Sequence, residues 1–135
     1  MGGTSVLRQT EALLERFRVL IVDDYEPWRQ FVRSAFRKRT ELEIVGESSD
    51  GLQAIQQAQE LHPDLILLDL GLPTIDGIET ARRLRKLVPR SKILFLSQES
   101  SPDVVQAALS TGARGYVVKQ SVKELFKAIS AALAA

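Results

Sequence analysis

The sequence contains no cysteine. That excludes disulfides and thiolate chemistry, and it suits a reducing cytoplasm. It holds a single histidine, His62, which precedes Pro63 in a helix-to-strand turn and reads as a structural turn residue. Charge of one sign is missing too: 18 basic and 17 acidic residues leave a formal net charge of +1, so no strong field toward nucleic acid or a membrane is implied. No apolar run approaches the roughly 20 residues that span a bilayer. The opening "MGGTSVLRQTEALLERF" has no continuous apolar core beside a cleavage site, as a signal peptide would. No solenoid-type repeat is visible.

What is present is a chain of 135 residues, 44% apolar and 26% charged, the size and balance of one globular domain. Five apolar runs of strand length stand out: "VLIV" (19–22), "LEIVG" (42–46), "LILLDL" (65–70), "KILFLS" (92–97) and "YVVK" (116–119). Continuous runs of this kind suit strands buried on both faces. Between them lie segments with helical spacing. Their expected apolar faces are Phe31/Val32/Ala35/Phe36, Leu52/Ile55/Ala58, Ile78/Ala81/Leu84/Leu87 with Val88, Val105/Ala108/Leu109, and Val122/Leu125/Phe126/Ile129/Leu133. Pro27 and Pro102 suit first helical turns, with Ser101 as an expected N-cap. Pro63 and Pro89 stop helices, Gly112 reads as a C-terminal stop, and Ser121 with Glu124 reads as a capping box. Strict β-α alternation predicts an α/β fold. The expected architecture is a doubly wound, five-stranded parallel sheet with helices on both faces.

Residues 1–17 read as an N-terminal extension and residues 18–135 as the domain proper. In the extension, Leu7, Leu14 and a Val6/Thr10/Leu13/Phe17 stripe suggest an amphipathic helix, set against the plainer reading of a partly ordered leader.

The polar residues gather at strand ends. Asp23 and Asp24 end the first strand, Asp69 the third, Ser97 the fourth and Lys119 the fifth. In a parallel sheet these ends share one edge, where open α/β sheets bind ligands. Taken singly, a strand-end Asp is more often a helix cap or an Asx turn. Taken together, three carboxylates, a hydroxyl and an ammonium form a coherent set. The carboxylates are hard oxygen donors that suit Mg²⁺. A carboxylate is also a competent nucleophile toward phosphorus, given a metal and a lysine to absorb charge on the phosphoryl oxygens. Asp69 stands alone on the central strand and is the best nucleophile; Asp23 and Asp24 are the pair suited to the metal. Without a metal that pair is expected to be strained, with at least one raised carboxyl pKa.

At "VDD" (22–24), "DLGLPTIDG" (69–77), "LS" (96–97) and "GARGYVVK" (112–119) the chain resembles the receiver (CheY-like) domain of two-component response regulators, over about Arg18 to Leu133. The spacing of Asp69, Pro73 and Gly77, with "TGARGYVVK", looks like the NarL/FixJ-type branch. The resemblance implies that the doubly wound sheet is of flavodoxin or CheY-like (βα)5 type. The resemblance implies that Asp69 is the phosphoacceptor and that Mg²⁺ is held by Asp24 and Asp69, by Asp23 through water, and by the backbone carbonyl of Gly71. It implies that Ser97 is the switch hydroxyl, that Lys119 pairs with phosphoryl oxygens, and that Tyr116 is the aromatic switch residue. It implies a histidine kinase as donor, a regulatory rather than enzymatic role, a cytoplasmic setting and no membrane partner. A homodimer is left open, and DNA would be reached only through an output domain that this chain lacks. The reading is thus the receiver part of a transcriptional regulator, with a single-domain phosphorelay or dimerisation module as the alternative.

Some positions depart from the common pattern. Gln120 stands where many receivers have a proline, which leaves the geometry after Lys119 open. Gln98 stands where a small residue is usual and is expected to narrow access to Asp69; Glu99 is the nearby group able to bias an attacking water. Trp28 reads as partial cover for the site rim, and "RSAFRKR" (33–39) as a solvated basic face. Rival enzymes fit less well. A haloacid dehalogenase-like phosphatase needs an acid two positions after its nucleophile, where this chain has Gly71. A dinucleotide enzyme needs a glycine-rich turn after the first strand, where this chain has "DDYEP".

Overall fold

A computed structural model describes residues 16–119 and 121–134. Of the expected Val6/Thr10/Leu13/Phe17 stripe, all but Phe17 lies outside these, as do Leu7, Leu14 and the junction at Gln120. Among the described residues, strands β1 (Phe17–Val22), β2 (Leu42–Ser48), β3 (Leu65–Leu68), β4 (Lys92–Ser97) and β5 (Gly115–Val118) alternate with five helices. These are α1 (Glu26–Phe36), α2 (Gly51–Leu61), α3 (Gly77–Leu87), α4 (Pro102–Leu109) and α5 (Val122–Ala134). The strands form one parallel sheet in the order β2-β1-β3-β4-β5. The order reverses between β1 and β3, which places the ligand crevice at their carboxyl ends.

The three central strands explain the two-sided core. Side chains alternate across a strand. Val19, Ile21, Leu65, Leu67, Leu94 and Leu96 meet Val32 and Phe36 of α1 and Leu125, Phe126 and Ile129 of α5. Leu20, Val22, Ile66, Leu68, Ile93 and Phe95 meet Ala54 and Ala58 of α2, Ala81 and Leu84 of α3 and Ala108 of α4. Every one of these residues is buried, so an unbroken apolar run is what both faces require.

The edges differ from the sequence expectation. Phe17, assigned to the extension, is the first residue of β1. Strand β2 runs on through Glu47 and Ser48, because an edge strand needs apolar cover on fewer sides. Leu52, Leu87, Leu109 and Val122 were expected on inward faces but are exposed. Helix α2 seats itself instead through Gly51, Ala54 and Ala58, small residues that let it lie close to the sheet. Two caps were not singled out in the sequence: Asp50 Oδ1 and Asp76 Oδ1 accept from the Gln53 and Glu79 N–H groups, each at 2.8 Å. The expected caps form in part. Ser121 Oγ accepts from Glu124 N–H at 3.3 Å. Ser101 occupies the N-cap of α4, but its hydroxyl makes no cap bond. His62 closes α2 in a left-handed conformation with φ 47°, as a turn residue.

Candidate functional site

The backbone ladder carries one residue past β1, β3 and β5, and that residue is the candidate functional one. Asp69 N–H donates to Val22 O at 3.0 Å, Asp23 N–H to Ser48 O at 3.0 Å and Lys119 N–H to Ser97 O at 2.9 Å. Sheet hydrogen bonds therefore fix the side chains of three different strands relative to one another. Gly77 holds the floor from behind. A Cβ there would collide with the Asp69 carbonyl oxygen and come within 2.6 Å of Leu70 Cα, so only glycine lets α3 begin this close to the site.

Asp23, Asp24 and Asp69 each present a carboxylate oxygen within 4.8 Å of the others. Their environments differ. Asp23 is buried, Asp69 is partly buried and Asp24 is exposed. Lys119 Nζ lies 2.5 Å from Asp23 Oδ2 and 3.5 Å from Asp69 Oδ1. The lysine expected to await phosphoryl oxygens thus takes Asp23 as its nearest partner, and it answers the charge of the acidic pair. Burial pushes the Asp69 carboxyl above the usual range, Lys119 opposes this, and the charges of Asp23 and Asp24 add to it.

An open cleft of about 510 Å³ borders Asp69, lined by Leu70, Gly71, Ser97, Gln98, Glu99, Val104 and Lys119. Gly71 is exposed, and a Cβ there would meet only Asp69 Oδ2, at 3.9 Å. Gln98 is exposed at the rim of this cleft. Ser97 is buried, and its Oγ accepts from Glu99 N–H at 3.1 Å. Tyr116 is half-buried beside Phe95, and its hydroxyl donates to Glu99 O at 2.6 Å. Burial pushes its phenol above the usual tyrosine range. The loop after β4 is therefore tied at one residue, Glu99, to both Ser97 and Tyr116.

Four residues take a larger part than the sequence suggests. Arg29, not singled out there, donates to Asp23 O at 2.6 Å and to Glu47 Oε1 at 3.1 Å, and it also pairs with Glu26. It ties the acidic turn to α1 and β2; its position one helical turn after Glu26 was the available signal. Arg33 pairs with Glu26 and Glu47 as well, and Arg39 lies over the Phe126 ring at 4.4 Å. The basic segment 33–39 is therefore in part an ion-paired and ring-packed surface. Trp28, read as rim cover, sits with its ring 5.1 Å from Lys119 Nζ.

The donor set fits a hard divalent cation. It offers three carboxylates, one of them exposed to solvent, and no soft ligand beside them.

A family comparison settles the class. The family model of the response regulator receiver domain matches residues 19–130. The chain is a response regulator receiver domain. It is 41% identical over 118 residues to a candidate transcriptional regulator of Pseudomonas aeruginosa, covering 87% of this chain and 56% of that one. It is 37% identical over 113 residues to the response regulator protein VraR of Staphylococcus aureus, covering 83% and 54%. The chain spans about half the length of the curated relatives it matches. Among solved structures it is similar to a LuxR-family two-component response regulator from Aurantimonas, with TM-score 0.83, 33% identity and coverage of 88% and 86%. It also resembles the response regulator domain of Thermotoga maritima CheB, with TM-score 0.82, 28% identity and coverage of 89% and 98%. The doubly wound parallel sheet expected from β-α alternation, and the receiver fold implied by the resemblance, are the fold observed.

Proposed function

We propose that this receiver domain is a switch set by phosphorylation of Asp69, with a histidine kinase as donor. The observation that carries the proposal is the convergence of three carboxylates within 4.8 Å on a lysine held between Asp23 and Asp69. Asp24 and Asp69 would ligate Mg²⁺ directly, Asp23 would do so through water, and the Gly71 carbonyl would complete the protein's share. Bound there, the cation would supply positive charge against the phosphoryl oxygens.

The chain's own residues do the rest. A carboxylate oxygen of Asp69 bonds to phosphorus as the bond from phosphorus to the donor's imidazole nitrogen breaks. The electron pair leaves with the imidazole, which is then free to take up a proton. Hydrolysis reverses the state: water adds to phosphorus, the bond to Asp69 oxygen breaks, and inorganic phosphate leaves. Lys119 pairs with a phosphoryl oxygen. Ser97 gives up the Glu99 N–H to donate its own hydroxyl, which loosens the loop that Tyr116 also holds. Gln98 and Glu99 at the rim modulate access. The face formed by α4, β5 and α5 then changes partner preference, to the extent that the phosphoryl group interacts differently with the two states.

The role is regulatory, and the chain assists only its own phosphorylation and dephosphorylation. We assign it to the cytoplasm, as the receiver part of a transcriptional regulator that contacts DNA through a separate output domain and is able to pair with a second copy. The support for this output is that the match spans only 56% and 54% of relatives that carry regulator names. Intact mass after incubation with acetyl phosphate and Mg²⁺ tests the proposal. One added phosphoryl group on the wild type and none on Asp69→Asn is the expected result; no adduct under any divalent-metal condition refutes it.

A further inference from the structure

Lys119 has a third neighbour besides its two carboxylates. The Trp28 ring centroid lies 5.1 Å from Lys119 Nζ, and the lysine side chain is only 8% exposed. Attraction between an ammonium and an aromatic face is strongest for indole and grows as water is excluded. The ring is itself held in place: it stacks on Phe31 with centroids 5.0 Å apart and packs against the core between the sheet, α1 and α5. Trp28 belongs to the first turns of α1, whereas Lys119 follows β5 on the far side of the sheet order.

The two kinds of neighbour respond differently to phosphorylation. Asp23 holds the ammonium by charge, and that pull weakens once a cation shares its carboxylate. The indole face carries no net charge, so its attraction persists through the change. We propose that Trp28 is a positioning residue for Lys119: its ring keeps the ammonium within reach of Asp69 while Lys119 exchanges Asp23 for a phosphoryl oxygen. This inference rests on the phosphoacceptor reading of Asp69 and the phosphoryl-binding reading of Lys119.

A double-mutant cycle on the whole chain separates positioning from packing. Initial rates of phosphoryl uptake from acetyl phosphate with Mg²⁺ are measured by intact mass for wild type, Trp28→Leu, Lys119→Met and the double variant. Trp28→Leu is expected to slow uptake about five- to tenfold, the range of a partly desolvated cation–π contact. Trp28→Phe, which keeps a ring face, is expected to recover most of that loss. In the Lys119→Met background Trp28→Leu is expected to change nothing further. An equal slowing in that background, or no slowing in the wild-type background, overturns the proposal and leaves the phosphoacceptor reading standing. No uptake by the wild type overturns both. Thermal midpoints of the same four proteins decide the case if Lys119→Met takes up no phosphoryl group. Non-additive shifts support the contact, and additive shifts overturn it.

Discussion

Burial raises the Asp69 carboxyl, so the folded protein holds a proton there more tightly than the unfolded chain does. By linkage, this group's effect is absent below the ordinary carboxyl value of 3.8. It becomes destabilising as pH rises through the folded-state pKa. Asp69→Asn is therefore expected to melt higher than wild type at pH 7, with the gap closing in acid; an equal or lower midpoint at pH 7 contradicts this. Gln98 belongs to the same scale. Its long side chain stands at the rim of the Asp69 cleft, and Gln98→Ala is expected to speed both phosphorylation and dephosphorylation by about fivefold, equivalent to about 1 kcal/mol of barrier. Unchanged rates in both directions would show that access is not limiting. Asp23, Asp24, Asp69, Ser97 and Lys119 were legible as a set because strand ends are legible, and a parallel sheet puts those ends on one edge; the parts given to Gly71 and Tyr116 came from the family resemblance, and Arg29 was missed. The contacts were not legible. Lys119 meets Asp23 across 96 positions, and nothing local to either residue records that their side chains pair at 2.5 Å. The Trp28 contact is equally remote in sequence.

The elements differ in how firmly they are seated. Helix α5 buries Leu125, Phe126, Ile129 and Ala132, whereas α4 is eight residues long and buries only Ala108. Its cap hydroxyl is unused, and Leu109 faces solvent. Elements with few buried contacts open most readily, and α4 directly follows the Ser97–Glu99 loop. Hydrogen exchange is expected to show α4 as the least protected helix of the five, with its protection altered on phosphorylation while α1 stays unchanged. Exchange in α4 as slow as in α5, or unresponsive to phosphorylation, would contradict its part in the switch. The central strands were readable as elements because both faces demand apolar side chains. The reading failed where that demand relaxes: at Glu47 and Ser48 on the edge strand, at Phe17 where β1 begins, and at Leu52, where small residues seat α2 and the helical spacing of larger ones misled.

For the whole molecule, the sheet acts as a frame that holds like charges together, and the proposed role of Mg²⁺ is to stabilise them. A ligand that binds only the folded state stabilises it by mass action, by about 2.7 kcal/mol at 100 times its dissociation constant. Mg²⁺ is therefore expected to raise the thermal midpoint of the wild type in a concentration-dependent way, and Asp24→Ala to abolish the rise. A midpoint indifferent to millimolar Mg²⁺ would count against the metal role of the acidic trio. Scattering before and after phosphorylation would show whether the change at the site reaches the pairing of whole chains. The most direct test is to locate the phosphoryl group itself. The protein is phosphorylated with acetyl phosphate in the presence of Mg²⁺ or of a chelator, cleaved into peptides, and the modified residue identified by mass spectrometry. The expected result is a single modification on Asp69 that disappears with the chelator. Modification at Asp23 or Asp24 instead, or uptake that persists without any divalent cation, would contradict the account.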